Sequence, residues 1–273
     1  MNNYPPLLSI AIKAAVKAGK EIMEVYDNDF SIELKEDNSP LTEADKRAHL
    51  KIVAQLAETG LPVLSEEGKS VAFEVRNKWK LFWLVDPLDG TKEFVKRNGE
   101  FTVNIALIKN NIPVIGVIYA PVMNSLYFAA EGIGSFKIES DIEHLHHLIQ
   151  SQNIADRFIQ LAVKLPVKDA SRSYTVVASR SHMSDETTSF IEELKKEHGD
   201  LMMISKGSSL KLCLVAEGAA DVYPRFAPTM EWDTAAGHAI ALAAGLKVLN
   251  GHDRISPVVY NKVNLLNPWF IVQ

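Results

Sequence analysis

The sequence predicts a layered α/β protein, and three stretches of the chain carry that prediction. Apolar residues from Leu7 to Val25 recur at three- and four-residue spacing, which is typical of an amphipathic helix over about residues 5–26. Residues 101–132 contain three β-rich runs separated by turn-like residues, which indicates an antiparallel meander. Residues 174–249 alternate between predicted strands and helices, and such alternation is typical of α/β layers.

The composition of the whole chain is that of an ordinary globular protein. Of the 273 residues, 47% are hydrophobic and 23% are charged, and the length allows one large domain or two fused ones. We expect one compact unit with an internal division between residues 1–135 and residues 136–273. The net charge of -5 argues against a general nucleic-acid binder.

Two further features bear on the cellular compartment. The single cysteine, Cys213, lies in the apolar run LKLCLVA, so we predict a small core residue without an internal disulfide, as in a reducing compartment. The N-terminal stretch MNNYPPLLSIAIKAAVKAGK lacks the basic region, long apolar core and cleavage site of a signal peptide. No apolar stretch approaches the ~20 residues that a membrane-spanning helix needs, so no integral membrane segment is expected.

A second helix is predicted from a capping motif. The tetrapeptide TEAD at residues 42–45 places Thr42 as N-cap and Asp45 at the third helical position, and the helix extends to about residue 58. Further predicted strands are residues 61–65, 80–85, 174–178, 201–204, 220–223 and 247–249, and further predicted helices are residues 91–97, 184–198, 209–217 and 234–244. We expect the meander to end at Gly132 and Gly134, and residues 137–173, which are polar, to be irregular.

Acidic residues follow buried strands in this sequence. The string WLVDPLDGT at residues 83–91 places Asp86 and Asp89 directly after an apolar run, where repulsion and lost hydration cost several kcal/mol without a compensating cation. Each candidate acid alone has an ordinary explanation as a helix-end charge, loop residue or turn former. Together they suggest a shared site for a hard cation, meaning magnesium or calcium, with manganese as a further option. The candidate acids are Asp45, Glu66, Glu67, Asp86, Asp89 and Asp233.

The spacing of these acids excludes two common motifs. An EF-hand loop is excluded because its acids stand two apart and because Arg97 occupies its twelfth position. A Walker phosphate loop is excluded because Val63 stands where its first glycine belongs. Magnesium usually binds substrate phosphates, so the site indicates phosphate chemistry. Gly90 permits close backbone approach, and Thr91 opens a short helix whose free amides would face an anion.

Two kinds of phosphate chemistry remain open at this point. One is an aspartyl-phosphate mechanism of the haloacid dehalogenase type, although its Asp-x-Asp-Gly-Thr string is one residue shorter than Asp86–Thr91. The other is direct attack by a metal-activated water, with cations holding the nucleophile and the leaving group.

Three separated motifs resemble the lithium-sensitive inositol monophosphatase superfamily over nearly the whole chain. They are Glu66-Glu67, the string DPLDGT at residues 86–91 and the string WDTAAG at residues 232–237, in matching order and spacing. Within the superfamily, Lys92-Glu93-Phe94 resembles the 3'(2'),5'-bisphosphate nucleotidase branch, because inositol phosphatases usually carry Thr-Asn-Phe after the Gly-Thr.

The resemblance implies a five-layered α/β/α/β/α fold and a role for each site residue. Residues 1–135 would supply most metal ligands, and residues 136–273 would complete the site and bind the nucleotide. Two or three magnesium ions would be held by Glu66, Glu67, Asp86, the Leu88 carbonyl, Asp89 and Asp233, with Asp86 as the bridge. The catalytic residues would be Asp45, Thr91 and Glu66, with Asp45 and Thr91 deprotonating the attacking water. Substrate contacts would come from Glu66, Leu88, Asp89, Gly90, Thr91, Ser208, Lys211, Arg225 and Asp233, with Ser179, Arg180, Ser181 and His182 as further candidates.

The function implied by the resemblance is removal of the 3'-phosphate of adenosine 3',5'-bisphosphate, a by-product of sulfate activation and sulfotransfer. The corresponding phosphosulfate is a further candidate substrate. Inositol monophosphatase, fructose-1,6-bisphosphatase and a non-enzymatic phosphometabolite-binding regulator remain as alternatives. The implied protein is cytoplasmic, with loose association at the inner face of the cell membrane as an option, and it needs no obligate protein partner.

Overall fold

The computed structural model describes residues 4–28, 32–34, 40–167, 169, 171–178 and 184–273. Within these ranges the helices are α1 (Tyr4–Tyr26), α2 (Glu43–Leu56), α3 (Phe73–Arg76), α4 (Thr91–Val95), α5 (Ile142–Leu148), α6 (Ile154–Leu161), α7 (Asp185–His198), α8 (Leu210–Glu217) and α9 (Glu231–Ala243). The strands are β1 (Ile32–Leu34), β2 (Pro40–Thr42), β3 (Val63–Ser65), β4 (Leu81–Asp89), β5 (Thr102–Lys109), β6 (Ile112–Ala120), β7 (Ser125–Ala130), β8 (Gly134–Glu139), β9 (Val163–Leu165), β10 (Thr175–Ala178), β11 (Met202–Ser205), β12 (Tyr223–Arg225), β13 (Val248–Asn250) and β14 (Phe270–Val272).

Most predicted elements are confirmed. The first helix, the three strands of the meander and the alternation of strands and helices after residue 174 are all present. The start of α2 has the predicted capping box, because Thr42 Oγ1 accepts from Ala44 N at 3.2 Å and Asp45 Oδ2 accepts from Thr42 N at 2.7 Å. Cys213 is free and buried, as predicted for a core residue.

The prediction that residues 137–173 are irregular is wrong. This stretch holds the rest of β8, helices α5 and α6, and β9, so the meander continues beyond Gly132 and Gly134. Leu145, Leu148 and Phe158 are buried in the core that α1 also enters, and this burial stabilises helices too short to be stable alone. A few apolar residues are enough to dock a short helix on the core. The polar composition of residues 137–173 therefore does not indicate irregular structure.

The observed bounds of two further elements differ from the predicted ones, because contacts with other parts of the chain determine where these elements begin and end. Strand β12 lies later than the predicted strand at residues 220–223, and α9 begins at Glu231, before the predicted start at residue 234. The earlier start follows from Asp233, whose Oδ2 accepts from the backbone N–H of Met230 at 2.8 Å. The short elements β1, β2, α3 and β14 were not predicted.

The largest sheet has seven strands in the order β3-β4-β5-β6-β7-β8-β9. Only the β3–β4 pair is parallel, and the remaining neighbours are antiparallel. Strand β4 pairs with β5 through Asp86 opposite Asn104 and Asp89 opposite Thr102, with a register shift between the two pairs. A bulge of this kind bends the strand and re-aims its side chains, so it directs the end of β4 toward one region of the surface.

Helices and a second set of strands cover the large sheet in five layers. Helices α1 and α2 pack on each other and on one face of the sheet, while α9 packs on the opposite face beside α8. Beyond α8 lie the β10–β11 pair and the three-stranded sheet β12-β14-β13, and α7 packs on their outer side. The predicted α/β/α/β/α fold is therefore confirmed.

Strand β4 is buried on both faces, which explains its continuous apolar run. Trp83 and Val85 enter the core under α1 and α2, whereas Phe82 and Leu84 enter the core under α8 and α9. Successive side chains of a strand point to opposite faces, so an apolar run this long requires a core on both sides. The acids that follow this run are thus carried to the edge of two hydrophobic cores.

The expected division at residue 135 falls inside β8, and the assignment of separate roles to the two halves stays a prediction. Among the helices of the described residues, none combines the length and the apolar character needed to cross a membrane.

Candidate active site

The end of β4 forms a buried acidic turn. Asp86 is only 2% exposed, and its Oδ1 accepts from the backbone N–H of Leu88 at 3.1 Å, which fixes the turn after the strand. Gly90 follows with φ of 91°, a left-handed conformation, and α4 begins at Thr91. A side chain at Gly90 would also place Cβ 3.1 Å from the Glu100 carbonyl oxygen, so glycine is required here for two reasons.

Four carboxylates are close enough to influence one another. Burial raises the pKa of Asp86 well above its ordinary value, and the negative charges of Glu66, Asp89 and Asp233 raise it further. Burial likewise raises the pKa of Asp233, and Asp89 adds to the effect. The structure therefore brings Glu66 and Asp233, which are distant in the sequence, close to Asp86 and Asp89, and the four charges are mutually unfavourable.

The acidic group offers oxygen ligands suited to a hard cation, but its side chains are not arranged as a complete coordination site. Within the described ranges, no three His, Cys, Asp or Glu side chains converge as a metal centre. Glu66 and Glu67 are half-buried on the loop after β3, and the N–H of Glu66 donates to the carbonyl of Val85 at 3.1 Å. The carboxylates fit magnesium in chemistry, because hard cations of this kind prefer oxygen ligands.

Asp45 and Thr91 meet beside this acidic group. Asp45 is 2% exposed, and its Oδ2 accepts from both the N–H and the Oγ1–H of Thr42 at 2.7 Å. Thr91 Oγ1 lies 3.4 Å from Asp45 Oδ1 and 3.3 Å from the Leu88 carbonyl. The helix cap thus holds Asp45 in place on one side, and its other oxygen faces Thr91.

A cavity of about 400 Å³ opens next to Asp89 and Asp233. Its walls come from the turn after β4, the loop after β11, the start of α8 and the small sheet, and they carry several cations. The cationic residues of the wall are Lys92, Lys96, Lys206, Lys211 and Arg225. An acidic group beside a cation-lined cavity suits a ligand that carries one phosphate at the acids and further negative charge elsewhere.

The three predicted nucleotide contacts all line the cavity, with different environments. Ser208 has φ of 39°, and its Oγ donates to the Glu100 carbonyl at 3.1 Å. Lys211 is 7% exposed and donates to the carbonyls of Lys206 at 3.1 Å and Ser208 at 2.6 Å, and burial lowers its pKa to about 8. Arg225 donates to the carbonyl of Pro228 at 3.1 Å. The further candidates Ser179 to His182 lie outside the described residues.

Several site residues were missed from the sequence. Asn104 Nδ2 and Ser209 Oγ lie 3.3 and 2.7 Å from Asp89 Oδ2, and Glu100 accepts from the N–H of Gly207 at 2.9 Å. A polar asparagine inside the apolar strand FTVNIALI was a visible signal for Asn104. Ser209 and Glu100 carry no such signal, because their roles depend on contacts between distant segments.

The chain belongs to the inositol monophosphatase family, whose family model matches residues 3–268. A curated relative from Salmonella typhimurium, named 3'(2'),5'-bisphosphate nucleotidase CysQ, is 46% identical over 270 residues, covering 97% of this chain and 99% of that protein. A relative of the same name from Haemophilus influenzae is 35% identical, covering 97% and 92% of the two chains.

Solved structures agree with this assignment. CysQ from Bacteroides thetaiotaomicron, described as a bacterial member of the inositol monophosphatase family, superposes with a TM-score of 0.90 at 53% identity, covering 99% of this chain and 98% of that chain. An inositol monophosphatase from Thermotoga maritima, 23% identical with a TM-score of 0.71, covers 98% of this chain and 92% of its own and shares the fold.

Proposed function

We propose that this chain is a 3'(2'),5'-bisphosphate nucleotidase that converts adenosine 3',5'-bisphosphate to AMP and phosphate. The observation that carries the proposal is its similarity, over 97% of its length and at 46% identity, to a protein named for that activity. The phosphosulfate analogue, whose product would be adenosine 5'-phosphosulfate, is a second proposed substrate. The activity would recycle a by-product of sulfur assimilation.

We further propose that the acidic group holds magnesium, with two or three ions per site. The buried and mutually repelling carboxylates support this, because a divalent cation compensates charges that the protein alone leaves unfavourable. When bound, magnesium would neutralise phosphate charge and lower the pKa of a coordinated water. The proposed ligands are Glu66, Glu67, Asp86, the Leu88 carbonyl, Asp89 and Asp233.

The chain's own groups account for proton removal from the attacking water. Thr91 Oγ1 lies between Asp45 Oδ1 and the Leu88 carbonyl, so its hydroxyl can accept from a water and donate its proton toward Asp45. The Thr42 hydrogen bonds hold Asp45 with one oxygen directed at Thr91. Glu66, whose charge also acts on Asp86, would assist in orienting the water. Removal of either Asp45 or Thr91 should lower kcat more than KM.

Substrate binding divides between two parts of the cavity. We propose that the backbone from Leu88 to Thr91, together with Asp89 and Asp233, surrounds the scissile phosphate. Ser208, Lys211 and Arg225, which line the same cavity, would contact the second phosphate and the nucleoside. The environment of Lys211 supports this assignment. Burial lowers the pKa of its ammonium group, and a bound anion would offset that effect by favouring the protonated form.

The test is phosphate release in the presence of magnesium from adenosine 3',5'-bisphosphate, inositol 1-phosphate and fructose 1,6-bisphosphate, measured side by side. We expect a clear preference for the nucleotide. Preference for inositol or sugar phosphate would overturn the substrate assignment, and binding without turnover would indicate a regulator. A phosphorylated Asp86 trapped by acid quench would instead indicate the haloacid dehalogenase mechanism. Lithium sensitivity, cytoplasmic location and membrane association stay predictions.

A further inference from the structure

Three buried polar side chains lie directly behind Asp89. Thr102 is 0% exposed, and Asn104 is 1% exposed, as is Ser209. Thr102 and Asn104 come from β5, where they stand opposite Asp89 and Asp86, whereas Ser209 precedes α8 in the second half of the chain. A polar group without contact to water must find its partners within the protein, so the hydrogen bonds among these residues define a single arrangement.

The direction of each hydrogen bond follows from the donors available. Thr102 Oγ1 donates to Asn104 Oδ1 at 3.0 Å, so the amide nitrogen of Asn104 faces the other way. That nitrogen lies 2.7 Å from Ser209 Oγ and 3.3 Å from Asp89 Oδ2. Ser209 Oγ in turn lies 2.7 Å from Asp89 Oδ2 and 2.7 Å from the carbonyl of Asp233. Both Asn104 Nδ2 and Ser209 Oγ therefore lie within hydrogen-bond distance of one oxygen of Asp89, namely Oδ2, and the single Ser209 proton is available to that oxygen or to the Asp233 carbonyl.

Two other carboxylates of the site also have one oxygen that accepts a hydrogen bond from the protein. Asp233 Oδ2 accepts from the N–H of Met230, and Asp86 Oδ1 accepts from the N–H of Leu88. In each case a backbone N–H donates to one carboxylate oxygen, at 2.8 Å for Asp233 and 3.1 Å for Asp86. A carboxylate held this way cannot rotate freely, so its second oxygen keeps a fixed direction.

We propose that Asn104 and Ser209 are positioning residues that engage Oδ2 of Asp89 and so present its Oδ1 to the cation. Ser209 also lies between two elements, because its Oγ is 2.7 Å from the Asp233 carbonyl of α9 as well as from Asp89 Oδ2, and its single proton can be donated to either acceptor. The inference rests on the proposed function in that the cation is taken to be magnesium. It adds two residues that act through Asp89 rather than as metal ligands themselves.

The expected effect is a loss of metal affinity rather than of nucleotide recognition. Removal of a partner that orients a metal ligand typically costs roughly 10–100-fold in metal affinity or activity. Ser209→Ala should therefore raise the magnesium concentration for half-maximal activity by about that factor. The KM for nucleotide, measured at saturating magnesium, should change less than twofold, and kcat should recover as magnesium is raised.

The decisive measurement is calorimetric titration of the nucleotide-free protein with magnesium chloride. Ser209→Ala and Asn104→Ala should both bind magnesium more weakly than the unaltered chain. The matched control is Ser205→Ala, because the Ser205 hydroxyl is also buried in this segment but has no hydrogen-bond partner among the residues that the structure describes. That control should bind magnesium as the unaltered chain does. Circular dichroism would verify folding, and Ser209→Ala decides the question if Asn104→Ala does not fold.

The outcomes separate the inference from the proposed function. Unaltered magnesium affinity in Ser209→Ala, or an equal loss in Ser205→Ala, would overturn the positioning role. A rise in nucleotide KM with normal magnesium affinity would overturn it too, since it would make Ser209 a substrate contact. Magnesium binding without phosphate release from any nucleotide would instead contradict the proposed function and leave the positioning role standing. Absence of magnesium binding by the unaltered chain would overturn both.

Discussion

At the scale of single residues, the site depends on charges placed where water is scarce. Asp86 is the extreme case, because it is buried and has three acidic neighbours. Burial and like charge both disfavour ionisation, and a divalent cation reverses that preference. Asp86 therefore destabilises the cation-free protein, and it is also the proposed centre of the functional site.

Replacing Asp86 should separate function from stability. We expect Asp86→Asn to lower turnover roughly 100-fold or more, the size usual for loss of one electrostatic stabiliser. Without divalent cations, its melting temperature should be equal or slightly higher, because one repelling charge is gone. Phosphate-release assays and thermal melts in chelator would check this, with Asp200→Asn, at an exposed position, as the control. Retained activity would contradict the bridging role.

His238 should make the protein sensitive to acid. Its Nδ1 lies 3.0 Å from the hydroxyl of Tyr260, and burial lowers its pKa from 6.5 to about 3. Between those values the unfolded chain binds a proton that the folded chain does not. Stability is thus full above pH 6.5 and falls as the pH decreases toward 3, by up to about 1.4 kcal/mol per pH unit.

Urea unfolding between pH 7 and pH 4.5 would check this acid sensitivity. This range covers roughly the upper half of the interval between the two pKa values of His238, 6.5 in the unfolded chain and about 3 in the folded chain. His238→Gln should lose stability less steeply than the unaltered chain as the pH falls. His252→Gln, at an exposed position, should keep the original slope. Identical slopes for His238→Gln and the unaltered chain would show that this ring does not contribute.

At the scale of elements, the position of α9 against the large sheet matters most, because α9 carries Asp233. Gly116 of β6 faces the backbone carbonyl of Ala236 so closely that a Cβ would overlap it. Backbone cannot move aside as a flexible side chain can, so this contact fixes how near α9 lies to the sheet.

We expect Gly116→Ala to destabilise the protein by about 1–3 kcal/mol and to push α9 outward. Because Asp233 moves with the helix, the magnesium concentration for half-maximal activity should also rise. The control is Gly132→Ala, whose Cβ would meet open space but whose φ of 77° makes alanine strained. That variant should lose stability without a change in magnesium requirement. An equal effect of both variants on the magnesium requirement would contradict this account.

Elements with strong local signals could be predicted from the sequence. The apolar spacing of α1, the TEAD capping motif of α2 and the acids around DPLDGT all lie within short stretches of chain. The helices α5 and α6 could not be predicted, because their stability comes from docking against α1. The pairing of Ser209 with Asp89 was equally hidden, since it joins residues that only the folded chain brings together.

At the scale of the whole molecule, the proposed site is shared between layers. Asp86 and Asp89 end a strand of the large sheet, Asp233 begins a helix on its far face, and Arg225 and Phe270 of the small sheet line the cavity. A ligand that contacts all these parts binds only the assembled fold, and such binding shifts the unfolding equilibrium.

Magnesium should therefore raise the melting temperature of the whole protein in one step. At a concentration about 100-fold above its dissociation constant, it would add about 2.7 kcal/mol, which corresponds to a rise of several degrees. Differential scanning calorimetry would measure this, with sodium chloride of equal ionic strength as the control. Asp86→Asn should lose most of the rise, and an unchanged melting temperature of the unaltered chain would argue against a magnesium site.

The small sheet has a consequence for the order of events during synthesis. Strand β14 lies between β12 and β13, and those outer strands pair with it rather than with each other. The ribosome produces the chain from its N-terminus at a few residues per second. The large sheet can therefore form before β14, the partner of β12, has been synthesised. Phe270 of β14 lines the cavity, and therefore the wall of the proposed site is completed only when this last strand has joined the small sheet.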